Sequence, residues 1–117
     1  MRMLIALPAI VLAVSITATS STSATKVLRG TVGPGFTISL KKSGTAVKTL
    51  KPGKYSLVVT DKSRIHNFRL KGPGGVNKAT SIVRQGISTY ALTLVKGTYT
   101  FVCDPHVSSM KGTFKVQ

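Results

Sequence analysis

Four side chains able to hold a soft metal ion fall into an ordered pattern along the chain: His66, then Cys103, His106 and Met110. The run Cys103-x-x-His106-x-x-x-Met110 offers a thiolate, an imidazole and a thioether on one loop, and His66 brings a second imidazole from a distant segment. Cys103 is the single cysteine, so it cannot form an intramolecular disulfide. Three readings of it stand: a buried inert thiol, an intermolecular bridge, or a metal ligand. A cysteine on an apolar face is usually a small core residue, and an isolated histidine is often a satisfied core group. As an ordered set the four residues point elsewhere. Soft sulfur suits Cu(I), imidazole tolerates both oxidation states, and a His2Cys plane with a distant axial methionine is an electron-transfer copper geometry. Zinc would sooner recruit another Cys or His, and none is to spare. One copper ion cycling between Cu(I) and Cu(II) is therefore the expected cofactor. Met110 is either its axial ligand or a residue that fills the loop.

Strands must carry these side chains, because the region after the N-terminal segment reads as strand and turn rather than helix. Gly33-Pro34-Gly35, Ser43-Gly44, Pro52-Gly53 and Gly72-Pro73-Gly74-Gly75 break the chain into short runs rich in Val, Ile, Thr, Tyr and Phe. Within the runs apolar and polar residues alternate, the pattern of an all-β sandwich or barrel. Phe36, Ile38 and Leu40 form one apolar set, His66, Phe68 and Leu70 a second, Tyr90, Leu92 and Leu94 a third, and Tyr99, Phe101 and Cys103 a fourth. Strands are expected over 26–32, 36–42, 46–50, 55–60, 65–71, 80–84, 87–95, 98–103 and 112–117, with mergers leaving seven or eight. Val76-Asn77-Lys78 reads as a loop or a single turn. The alternation turns His66 and Cys103 toward the interior, with Cys103 at a strand end where Asp104-Pro105 begins a turn.

Two segments resemble the plastocyanin/amicyanin group of cupredoxins, the blue copper proteins. They are His66-Asn67-Phe68 preceded by Asp61-Lys62-Ser63, and Tyr99 to His106 followed by Met110-Lys111-Gly112. The resemblance implies a Greek-key β-sandwich with copper at one end, His66, Cys103 and His106 as equatorial ligands and Met110 as the axial one. The three residues between His106 and Met110 lie between the amicyanin and plastocyanin lengths. By the same resemblance Asn67 would hydrogen-bond the backbone around Cys103-Asp104, the alternative being an outward strand residue. The imidazole of His106 would reach solvent through an apolar patch formed by Gly33-Pro34-Gly35, Gly72-Pro73-Gly74, Pro105 and Val107. Pro105 would stiffen the loop. Asp104 would either place a negative charge near the metal or cap local turn amides.

The N-terminus reads separately. Met1-Arg2-Met3 is a short basic start, Leu4 to Val14 carries no charge, and Ser15 to Ala24 is mostly small and polar. That order is a secretory signal peptide over 1–24, cleaved after Ala18 or Ala24; the alternative is an uncleaved anchor or a core helix. The apolar run is shorter than the roughly 20 residues of a membrane-spanning helix. No cysteine near the N-terminus can take a lipid. A single domain over 25–117 remains, exported to the periplasm, cell envelope or extracellular space.

Seventeen Lys and Arg oppose Asp61 and Asp104, giving a net charge of +15. A surface of that sign favours acidic redox partners and gives weak association with anionic membrane surfaces. Its charges are scattered, and no nucleic-acid motif accompanies them, so nucleic-acid binding is not expected. Nor is catalysis, since two separate acids form no carboxylate pair. The expected molecule is a monomeric one-electron carrier, with copper delivery as the alternative. Chaperones favour Met- and His-rich exposed sites, and Met110 is the only methionine after the signal segment, which argues against that alternative.

Overall fold

The computed structural model describes residues 4–17 and 25–117. Residues 4–17 are exposed and form no helix or strand, so they are not part of the core. Both candidate cleavage points, after Ala18 and after Ala24, lie outside the described residues. Among the described residues no helix is long and apolar enough to cross a membrane.

The remainder is built from ten strands: β1 Lys26–Val32, β2 Ile38–Lys42, β3 Thr45–Ala46, β4 Thr49–Leu50, β5 Gly53–Asp61, β6 Arg69–Gly72, β7 Val76–Ala79, β8 Gly86–Leu94, β9 Gly97–Val102 and β10 Lys111–Val116. One sheet has the order β3-β2-β1-β5-β8 and the other β4-β10-β9-β6-β7. Both sheets are mixed, because β1 runs parallel to β5 and β4 parallel to β10. The chain changes sheets between β3 and β4, at Val47-Lys48. Val47 still donates to the Leu40 carbonyl of the first sheet, while the Lys48 carbonyl already accepts from Lys115 of the second.

The all-β sandwich agrees with the alternation; the count of seven to eight strands does not. The expected strand at 46–50 is split by this sheet change. The expected strand at 80–84 is absent: Ile82 and Val83 have strand-forming side chains but no neighbouring strand to pair with, and Val83 is exposed. The strand lies just before it, where polar Asn77 and Lys78 pair with Lys71 and Leu70. Ladder position outweighs side-chain preference on this edge. Phe36 also departs from expectation, since it precedes β2 and is 62% exposed rather than sharing the buried face of Leu40.

Burial alternates along β5, where Tyr55, Leu57, Val59 and Asp61 turn inward. Aromatic rings of the second sheet meet this face. Phe68 stacks on Phe101 and Tyr99 on Phe114, with centroids 5.8 and 5.3 Å apart. Three of these rings lie directly over glycines: Phe68 over Gly30, Tyr99 over Gly72 and Phe101 over Gly112, where a methyl group would overlap the ring. The glycines thus let flat rings settle against backbone and fill the space between the sheets.

One end of β9 is fixed through Tyr99. Its hydroxyl accepts from the Val95 amide at 3.0 Å and bonds the Pro73 carbonyl at 2.9 Å. The other end of β9 delivers Cys103. The edges of the first sheet are β3 and β8, and the nine residues of β8, Gly86 to Leu94, carry no charge.

Candidate metal centre

His66 reaches its place through a chain of local bonds. β5 ends at Asp61, whose Oδ1 accepts from the Ser63 amide at 2.9 Å. Ser63 Oγ in turn accepts from the Ile65 amide at 3.2 Å, and the Lys62 amide donates to the Val32 carbonyl. These turns, typical of Asp and Ser side chains, set the path into the sandwich. His66, Asn67 and Phe68 follow, all buried, before β6 begins at Arg69. The histidine therefore lies on an irregular entry to β6 rather than on a strand. Consecutive burial of His66 and Asn67 breaks the simple alternation.

Cys103 follows the last residue of β9 in extended conformation and opens a 3-10 turn over Asp104–His106 with Pro105 in its first positions. Proline's fixed φ suits that position, and its missing amide goes unneeded there. The loop closes on itself: the Cys103 amide donates to the Met110 carbonyl, and the His106 amide to the Cys103 carbonyl, both at 3.0 Å. The Met110 amide donates to the His106 carbonyl at 2.9 Å.

These two segments bring three ligand atoms together. The Nδ1 atoms of His66 and His106 are 3.0 Å apart, and Cys103 Sγ lies 3.6 Å from each. Among the described residues this is the one cluster of His, Cys and acidic groups with metal-ligand spacing. The centre of that triangle is about 2 Å from each corner, the length of a metal–imidazole bond and slightly under a metal–thiolate one. The donor set thus fits a single transition-metal ion. Cys103 and His66 are buried and His106 is half-buried. Met110 is buried in the same apolar cluster as Cys103.

Asn67 braces the site from behind. Its Oδ1 accepts from the Asp104 amide at 2.8 Å, while Nδ2 donates to Asp104 Oδ2 at 2.8 Å and to the Thr80 carbonyl at 3.3 Å. The bond to the backbone beside Cys103 agrees with the expected role, and the outward-facing alternative is ruled out. Asp104 also forms a bidentate pair with Arg69, at 2.8 Å to Nε and 2.9 Å to Nη2. The Arg69 guanidinium holds the Asp104 carboxyl below the usual carboxylate range, with burial opposing and Asn67 assisting. Asp61 behaves oppositely. Burial pushes its carboxyl up, with the Ser63 amide and His66 opposing, and its Oδ2 has no hydrogen-bond partner among the described residues.

The surroundings of His106 differ in part from expectation. Gly33-Pro34-Gly35 leads into Phe36, whose ring meets both imidazoles. Gly72-Pro73-Gly74 instead lies at the far end of β9, where Pro73 meets Tyr99 and Gly97 and Gly74 meets Val95. β6 and β9 are antiparallel, so the end of β6 is carried away from Cys103. Phe36 is the site neighbour that strand alternation missed. The signal for it was an aromatic placed directly after a glycine–proline–glycine turn.

The sequence profile of the copper-binding plastocyanin/azurin family matches residues 37–117. The chain belongs to that family. Its fold is accordingly shared with solved cupredoxins. A methionine-to-glutamine variant of rusticyanin superposes with a TM-score of 0.61 at 17% identity, covering 82% of this chain and 80% of that one. Rusticyanin from Thiobacillus ferrooxidans gives 0.56 at 21% identity, covering 82% and 79%. Reduced rusticyanin gives 0.55 at 20%, covering 83% and 82%. At such identities the likeness concerns the fold. No curated protein sequence matches the chain. Within the cupredoxin frame, the His66, Cys103 and His106 cluster supports copper as the metal.

Proposed function

We propose that this cupredoxin is an exported type-1 copper protein that carries single electrons between redox partners. His66, Cys103 and His106 would hold the metal, with Met110 as a fourth, weaker ligand. The observation that carries the reading is the convergence of two imidazole nitrogens and one buried thiol within 3.6 Å, from segments far apart in sequence. Copper in such a site supplies one-electron chemistry.

The protein's own contribution is to hold the donors still. The closed loop from Cys103 to Met110, the Asn67 brace and the aromatic core fix ligand positions, so little has to move as charge changes. Half-buried His106 provides the edge toward a partner. The basic surface steers an acidic partner and speeds encounter more than it tightens the complex. A rate with such a partner that ignores ionic strength would contradict this steering. The signal-like start of the sequence supports export, with 25–117 as the mature, monomeric domain. The site has no paired carboxylates beside it, which favours a carrier over an enzyme.

The test is to add Cu(II) to the protein and to Cys103→Ser and record visible and EPR spectra. An intense thiolate-to-copper band with narrow copper hyperfine splitting, lost in the variant, is expected. A colourless protein, or copper binding indifferent to Cys103, refutes the assignment.

A further inference from the structure

Phe36 is a large apolar side chain left 62% exposed, yet its ring is tightly placed. Its centroid lies 5.2 Å from the His66 ring at 64° and 4.9 Å from the His106 ring at 89°. Those two imidazoles are themselves 4.7 Å apart at 75°. Three rings thus pack edge to face around the open side of the donor cluster, the favoured arrangement for aromatic pairs.

The backbone presenting Phe36 is constrained. Gly33 and Gly35 take positive φ of 70° and 74°, which glycine adopts without strain. The Gly33 amide donates to the Thr37 carbonyl at 2.9 Å, and Thr37 Oγ1 donates to the Pro34 carbonyl at 3.2 Å. At Gly33 the loop lies against Ser63, within the turn that leads to His66. The Lys62 amide bonds the Val32 carbonyl just before the loop. Phe36 and His66 are therefore held to one another through backbone as well as through their rings.

We propose that Phe36 is a positioning residue of the metal site, an aromatic clamp that fixes the His106 and His66 rings and keeps water from the partly exposed edge of His106. His106 depends on it most. It sits on a loop, is only half-buried, and among the described residues has no side-chain hydrogen-bond partner beyond the donor cluster itself. Phe36 supplies the packing that a second hydrogen bond supplies to many metal-bound histidines. Exclusion of water also disfavours the more highly charged cupric state, so the clamp raises the reduction potential.

The electrochemical part of this inference rests on the copper reading above; the packing part does not. Two aromatic pairs of ordinary strength correspond to roughly a tenfold change in a rate or equilibrium. In the copper-loaded protein, Phe36→Ala should therefore lose metal to a Cu(I) chelator about tenfold faster and show a lower reduction potential. Phe36→Tyr should behave as wild type, and Phe36→Leu should keep much of the shielding while losing the ring contacts. In the copper-free protein, NMR of the His106 ring should show aromatic ring-current shifts that shrink to the His66 contribution in Phe36→Leu, with increased rotamer exchange. Wild-type extraction rate, potential and His106 signals in Phe36→Ala would overturn the proposal. Should wild-type protein fail to form a type-1 site, the copper reading falls, and the copper-free NMR comparison alone decides for or against the clamp.

Discussion

Replacing Asn67 by alanine removes three hydrogen bonds from a side chain that is only 2% exposed. An ordinary hydrogen bond contributes about 1 kcal/mol net, and a buried donor left without its acceptor costs about 1–3 kcal/mol. The Asp104 amide is such a donor. Its carboxylate is one-third exposed and recovers water, so its lost bond counts for less. The expected loss is therefore about 3 kcal/mol, a large part of a small domain's stability. For a domain of this size it lowers Tm by roughly 12–24 °C. Asn67→Asp should fare no better at neutral pH. It keeps an acceptor for the amide but sets a second carboxylate oxygen against Asp104 in place of the donor. Urea unfolding of the copper-free variants is the assay, because bound metal would add its own stabilisation and mask the difference. A loss under about 1 kcal/mol in both variants would show that the two ligand segments are held by something other than this brace.

Asp61 offers a test through pH. Its carboxyl is raised by burial, so the native state takes up a proton at higher pH than the unfolded chain. The stability it adds is full below the unfolded carboxylate pKa of about 3.9 and is lost as pH rises through the higher folded value. Asp61→Asn should thus exceed wild type in urea midpoint at pH 7 and converge with it near pH 3.5; equal midpoints at both would refute this. The Arg69–Asp104 pair should tune the potential. Arg69→Gln leaves a bare carboxylate near the metal and lowers the potential, whereas Asp104→Asn leaves a bare guanidinium and raises it; voltammetry that finds no change in either removes both charges from the account. Gly112→Ala drives a methyl group into the Phe101 ring and should cost about 1–3 kcal/mol in thermal or urea unfolding, the usual penalty of overpacking.

The cluster of His66, Cys103 and His106 was legible because its chemistry is rare: one cysteine and two histidines in that order leave few alternative uses. The inward direction of Cys103 also followed from alternation, since β9 is a regular strand paired on both sides. His66 was harder. It stands before β6, and it is buried next to Asn67, whose side chain is satisfied by hydrogen bonds to Thr80 and Asp104 that no periodicity encodes. Edge strands were least legible. β7 has polar Asn77 and Lys78 at its middle and, among the described residues, pairs with β6 alone, so its existence depends on a ladder partner more than on its own residues. The sheet change at Val47-Lys48 was hidden for the same reason, being a tertiary choice between two ladders. Phe36 shares the alternation of a strand residue, but the Gly33-Pro34-Gly35 turn before it directs its ring to the two imidazoles.

The uncharged lateral strand gives the lysines and arginines a second consequence. Strand β8 presents nine residues of backbone without the lysine, proline or bulge that commonly protects a sheet margin from pairing with another chain. With local protection limited to the bond from the Tyr90 hydroxyl to the Ala79 carbonyl of β7, the deterrent is collective: two copies approaching margin to margin each bring a large like charge. Such repulsion is screened within about 3 Å at 1 M salt, and it can also be cancelled by bound polyanions. Colloidal behaviour is thus governed by the same charge that is proposed to steer a partner, and purification or storage at high ionic strength withdraws the protection that the strand itself does not supply.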